Sequence, residues 1–199
     1  KASYNRTFQY IQQASNTASA FPTDQWFSSN LNIEPQIADQ VAVGVFKNFN
    51  KGIETSLEVY YKTMQNQIDY RDGAVLVFNE QLDGELLTGT GQAYGTELFL
   101  SKTEGLTTGF ISYTLSKTTR NTIGINNNED YVANFDIRNN LSVVATRKIM
   151  AQLSASATFT YTTGKPYTTP EGKYFWDGDW YPLYGERNNA RLPDYHRLD

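Results

Sequence analysis

Apolar and polar residues alternate with a period of two along most of this chain. The clearest stretch is AQLSASATFTYTTG, residues 151–164. It puts Ala151, Leu153, Ala155, Ala157, Phe159 and Tyr161 on one face and Gln152, Ser154, Ser156, Thr158, Thr160 and Thr162 on the other. A strand of a soluble sandwich runs to about five or six residues and turns charge toward water. This stretch is longer and uncharged. The same alternation predicts strands over 2–12, 39–48, 54–64, 91–102, 107–117 and 134–146, and DYHRLD at 194–199 reads as the start of an eighth. Val41, Val43 and Val45, then Leu57, Val59 and Tyr61, then Tyr94, Leu98 and Leu100, then Ile111, Tyr113 and Leu115 form the successive apolar faces. Arg6 interrupts the first of them, which predicts a bulge or a rim position there.

The spacers come in two alternating kinds. NFNKG (48–52), TEG (103–105) and TRK (146–148) have hairpin length, whereas 13–38, 65–90, 118–133 and 163–193 are long. Long structureless connections are uncommon in compact domains unless they carry function. Short turns at one end and long loops at the other are the asymmetry of an outer-membrane barrel. On that reading the apolar faces meet lipid. Glu58, Lys62, Glu97, Asp136 and Arg138, which fall opposite them, line the interior. A sandwich accounts for the alternation, but not for the segregation of loop lengths.

Composition agrees with strands: 14 Tyr, 11 Phe and 3 Trp stand beside only 2 Met among 199 residues. A mean hydropathy of −0.54 and no long apolar run exclude a transmembrane helix, but not a barrel, whose strands show lipid only every second residue. There is no cysteine, hence no disulfide and no thiolate metal site. A net charge of −4 argues against a nucleic-acid partner. KASYNRTFQY has neither the apolar core nor the cleavage site of a signal peptide.

Several phrases in order are more specific than the pattern: SYNRTFQYIQQASNT, PTDQWFSSNLNIEPQIADQVAVGVFKNF, SLEVYYKTMQNQIDY, GTGQAYGTELFLSKTEGLTTGFISYTLSKT, and TGKPYTTPEGKY followed by RLPDYHRLD. Together they span essentially the whole chain. They resemble the C-terminal half of TonB-dependent outer-membrane receptors, especially the outer-membrane β-barrel family with a carboxypeptidase-regulatory-like domain ahead of the plug. NFDIRNNLSVV and the stretch 175–184 depart from the family's pattern. The resemblance implies an all-β fold, an antiparallel transmembrane β-barrel segment supplying about eight strands of a barrel of about 22. Its short turns would be periplasmic and its long loops extracellular. Residues 1–199 would then be one partial barrel, with the plug and the TonB-binding segment outside this chain. The implied function is active uptake of a siderophore, glycan or peptide across the outer membrane of a Gram-negative bacterium. The implied partners are TonB, outer-membrane lipid and lipopolysaccharide. Two other readings stand beside it: a scaffold or channel barrel within an outer-membrane complex, and a soluble all-β glycan-binding module.

Little in the chain suggests catalysis. The single histidine, His196, has no G-x-S-x-G to serve, so the expectation is no enzyme and no cofactor. GTGQAYG (89–95) opens a strand and is not a nucleotide cradle; its glycines would let the strand leave its loop or leave room for a plug against the wall. FWDGDWY (175–181) and NNNED (126–130) cluster oxygen ligands, but Asp-Gly and Asn runs are ordinary turn chemistry, and the turn is the favoured reading. The best ligand candidates are loop aromatics: Trp26 and Phe27 in the first long connection, and Trp176, Trp180, Tyr181 and Tyr184 in the last. Tyr61, Tyr94, Tyr113 and Tyr161 read instead as an interfacial girdle, and for Trp176 and Trp180 the girdle and the ligand site stand as equal alternatives.

Overall fold

The period-two pattern becomes strands throughout the computed structural model, which describes residues 1–14, 25–74, 79 and 81–199. Parts of two predicted long connections, 15–24 and 75–78 with residue 80, lie outside the described residues. In chain order the strands are β1 (Ala2–Gln9), β2 (Ile11–Ala14), β3 (Gln25–Ser28), β4 (Gln36–Phe49), β5 (Ile53–Tyr70), β6 (Leu86–Lys102) and β7 (Thr107–Thr122). There follow β8 (Tyr131–Val132), β9 (Asn139–Met150), β10 (Leu153–Thr162), β11 (Pro166–Tyr167), β12 (Pro170–Trp176), β13 (Asp179–Tyr184), β14 (Ala190–Arg191) and β15 (Tyr195–Leu198). One antiparallel sheet runs β1-β4-β5-β6-β7-β9-β10-β15, with β8 paired to the far end of β7. The sheet is open, and β1 and β15 are its edges.

Register carries the apolar face from strand to strand. Val43 pairs with Val59, and Leu57 with both Val45 and Leu98. Leu98 pairs with Tyr113, Tyr113 with Leu141, and Leu141 with Tyr161. Val45 is 70% exposed, Val59 52% and Leu98 43%, while Tyr113, Leu141 and Tyr161 further along the band are half-buried. The other face packs differently. Bulky Tyr60 and Met64 of β5 lie beside Ala38 and Ala42 of β4 and Ala93 of β6, and Ala38, Met64 and Ala93 are buried there with Tyr60 against them. The glycines of GTGQAYG belong to this arrangement. A Cβ on Gly95 would stand 2.9 Å from the Tyr60 hydroxyl and 2.7 Å from the Leu115 carbonyl, and one on Gly91 would stand 3.0 Å from the Met64 methyl. They make room for the neighbouring strand's side chains, rather than for a departing loop.

Tight turns join β4 to β5, β6 to β7 and β9 to β10 at one end of the sheet, and every other connection along it lies at the opposite, loop end. Lys51 and Gly52 take φ of 66° and 65°, the left-handed pair that ends a three-residue hairpin loop. The third turn is not at 146–148. Thr146 and Arg147 continue β9, opposite Ser156 and Ala155, and the chain reverses at residues 151–152. The basic pair Arg147–Lys148 lies within β9 and not at the reversal. Arg6 makes no bulge. β1 keeps register with β4 from Ala2 to Gln9, and Arg6 meets its pairing partner Asp39 through Nε at 2.7 Å. β5 runs to 18 residues and β6 to 17, past the predicted ends at 64 and 91 and into the loop end.

Candidate binding site at the loop end

The elongated strands carry a cap of folded connections. Ala14, Phe27, Ile33, Ile68 and Tyr70 form its apolar core, and the rings of Phe27 and Tyr70 meet edge to face at 6.4 Å. Phe27 is 8% exposed and Trp26, on the other side of β3, 65%. Of the two first-loop candidates, Phe27 is therefore a core residue and Trp26 alone faces outward.

Beside that core sits a buried polar network. The Asp69 carboxylate accepts the Tyr131 hydroxyl at 2.8 Å on one oxygen, and the Tyr70 N–H at 2.8 Å and Arg187 Nη1 at 3.3 Å on the other. Arg120 lies 3.7 Å away and donates to the Ile68 carbonyl and the Gln67 side chain, both at 3.2 Å. Arg187 also donates through Nη2 to the Tyr70 carbonyl and to Asp72, each at 2.8 Å. Burial, with the Asp69 charge beside it, pushes the Tyr131 phenol above its ordinary value of 10.0. It therefore stays a neutral donor.

A second buried pair repeats the device. Asp136 is 1% exposed, accepts the Thr118 N–H at 2.6 Å and is bonded to Arg191, whose Nη1 also reaches the Gly164 carbonyl at 3.0 Å. Arg187 and Arg191 both come from the last long connection, so two guanidiniums of one segment are seated on two buried carboxylates of others. Asn188 adds a bond to the Val132 carbonyl at 2.6 Å.

Predicted site residues divide accordingly. Glu58, Lys62 and Glu97 lie on the face opposite the apolar band, with Glu58 directly across from Glu97. Asp136 and Arg138 precede β9, which begins at Asn139 and not at 134; Asp136 is a buried loop residue, and the Arg138 carbonyl accepts the Ser116 N–H at 3.0 Å. Trp176 and Trp180 do not sit in irregular chain. They belong to the β12–β13 hairpin, which turns at Asp177–Gly178 with φ of 50° and 90°, so the turn reading of FWDGDWY holds. NNNED turns likewise, with Asn126, Asn127 and Asn128 all at positive φ. Trp176, Trp180, Tyr181 and Tyr184 are all exposed. Tyr174 stacks on Tyr181 at 5.7 Å, Phe175 meets Trp180 edge-on at 5.3 Å, and Lys173 lies over the Trp180 ring at 4.6 Å.

Sequence reasoning missed Asp69, Tyr131, Arg187 and Arg191. The one available signal was two arginines four residues apart in a Gly- and Asn-rich connection, GERNNAR. No family model, curated protein or solved structure matches the chain.

Proposed function

We propose that this chain is part of the wall and loop cap of an outer-membrane β-barrel of the TonB-dependent kind, which takes up a nutrient bound at its outer loops. One observation carries the reading: exposed Val, Leu, Ile, Phe and Tyr recur from strand to strand on one face of the sheet, while the opposite face carries Glu58, Lys62 and Glu97, with Phe46, Phe99 and Phe110 as its exposed rings near the tight turns. Apolar surface left in water costs about 25 cal/mol per Å², and soluble monomers rarely expose so continuous a patch. Lipid removes that cost. The grouping of the tight turns at one end and the long connections at the other supports the same reading, with the turns periplasmic and the loops outside. The strands of 14 to 18 residues exceed the nine to eleven or so that cross a bilayer, which leaves length for a cap. Unpaired edges are not tolerated in hydrocarbon, so β1 and β15 pair with further strands in the membrane. A plug inside the barrel would meet the face bearing Glu58, Lys62 and Glu97, and TonB would act through that plug.

The test is fractionation of the whole protein in its own cell. It should sediment with the outer membrane, resist alkaline extraction and migrate on gels in a heat-modifiable way. Ligand uptake should stop when TonB is removed. Recovery as a monodisperse species in buffer without detergent would establish a soluble module instead. Membrane insertion with uptake indifferent to TonB would point to a channel or scaffold.

A further inference from the structure

A cleft of about 590 Å³ opens in the cap between the end of β5 and the last long connection. Its principal side chains are Arg71, Asp72, Tyr167, Thr168, Tyr184 and Arg187. We propose that it binds an uncharged, polyhydroxylated ligand, an oligosaccharide. This deepens the transporter reading by naming its substrate class, and rests on it only for the uptake step.

Charge decides the class. Two guanidiniums line the cleft, and each already has a carboxylate partner. Arg71 is bidentate on Glu85 through Nε and Nη2, and Arg187 is divided between Asp69 and Asp72. Counted with the ion-pair partners, Arg71, Arg187 and Arg120 are matched by Glu85, Asp69 and Asp72, so an ion of either sign finds no net counter-charge. Hydroxyl groups, which both donate and accept, suit such compensated pairs, and the ion pairs hold the planar groups in fixed orientation. Ala74 is the one aliphatic side chain among the lining residues, and the larger apolar groups there are the rings of Tyr70, Tyr167 and Tyr184. The rings of Tyr167 and Tyr184 offer flat faces for the C–H faces of sugar rings.

The hairpin extends the site. Trp180, Pro182 and Tyr184 alternate along β13 and so share one face, leading from the hairpin tip to the cleft where Tyr184 is a lining residue. A row of rings ending in a polar cleft matches a chain of repeating rings. The volume lies in the ordinary range of small-ligand sites, about 300–1,000 Å³.

The detergent-solubilised whole protein should be titrated with maltohexaose, cellohexaose and xylohexaose, followed by tryptophan emission and calorimetry. Hexagalacturonate, ferric citrate and an uncharged pentapeptide serve as the other arms. At least one neutral hexasaccharide should bind, and Tyr184→Ala should weaken it about tenfold or more. Asp72→Asn, which keeps the hydrogen-bonding shape, should weaken it less. Heat-modifiable migration should be unchanged in both, since Tyr184 is exposed. Binding confined to hexagalacturonate, ferric citrate or the peptide, no binding of any neutral sugar, or an affinity indifferent to Tyr184→Ala would each overturn the proposal. Sugar binding without TonB-dependent uptake would leave the cleft assignment standing and remove the transporter reading, so the two fail separately.

Discussion

The strands near the tight turns and the cap at the loop end are held together in opposite ways. Toward the turns the sheet is a backbone ladder whose apolar side chains, Val45, Leu57 and Leu98 among them, contact little besides their cross-strand neighbours. At the loop end the same strands carry buried carboxylates, Asp69 reached by Arg187 and Arg120, and Asp136 bonded to Arg191. The wall thus depends on what surrounds it, while the cap carries its own counter-charges and its own apolar core. Moving the wall from water to lipid changes the environment of every apolar side chain on it. The same move leaves the cap's buried pairs as they are, because they are already out of water.

The largest effect should come from breaking a buried pair in the cap. Asp69→Ala leaves Arg187 and Arg120 without their shared carboxylate, and removing one partner of such a pair typically costs about 3–5 kcal/mol. Hydrogen exchange should rise across 163–194 and the end of β7, while the wall near the tight turns stays protected. Equal loss of protection in both regions would mean that the two are not separate units.

Next comes the wall's two-sidedness. On the proposed membrane reading, Leu98→Arg, within the apolar band, should destabilise the protein in lipid by about 2–4 kcal/mol. Ser112→Arg, on the other face of the adjoining strand, should cost much less. Denaturant titration in bilayers compares them, and equal costs would remove the lipid-facing assignment. Smaller still, Gly95→Ala should cost about 1–3 kcal/mol, because its Cβ must displace Tyr60 or the Leu115 carbonyl. A Tyr60→Ser background should recover part of that loss, and no recovery would show that the backbone contact dominates.

The smallest expected effect is a pH dependence of the cap. Tyr131 has its folded value raised, so its contribution to stability is fully present below the unfolded value near 10.0 and is lost as pH rises above it. Cap stability in the wild type should therefore fall on that alkaline limb more steeply than in Tyr131→Phe. Parallel limbs would show that the phenol does not titrate with folding.

The aromatic candidates were partly legible and partly not. Trp26 and Phe27 are adjacent in sequence and equally apolar, yet β3 turns one outward and packs the other on Tyr70. Which of the two is buried depends on the partner, and Tyr70 is more than forty positions away. Trp176 and Trp180 could be read as exposed aromatics, but the hairpin that aligns Trp180 with Tyr184 needed the positive φ at Asp177 and Gly178.

What the sequence determined by itself is the wall. A period of two assigns each residue to a face regardless of what else is nearby, and two of the three tight turns announce themselves in a few local residues, the third lying at 151–152 and not at 146–148. Those signals predicted the run of antiparallel neighbours, the apolar band and the segregation of turns from loops. Only the tertiary structure decided the cap and its cleft. Arg187 meets Asp69 across 118 positions and Arg191 meets Asp136 across 55. A pairing between charges has no period and leaves no local mark. A lone Asp at the end of a strand looks the same whether it faces water or lies buried against a guanidinium. What distinguishes the two cases is the removal of solvent by segments distant in the chain, and that exists only once the chain has folded.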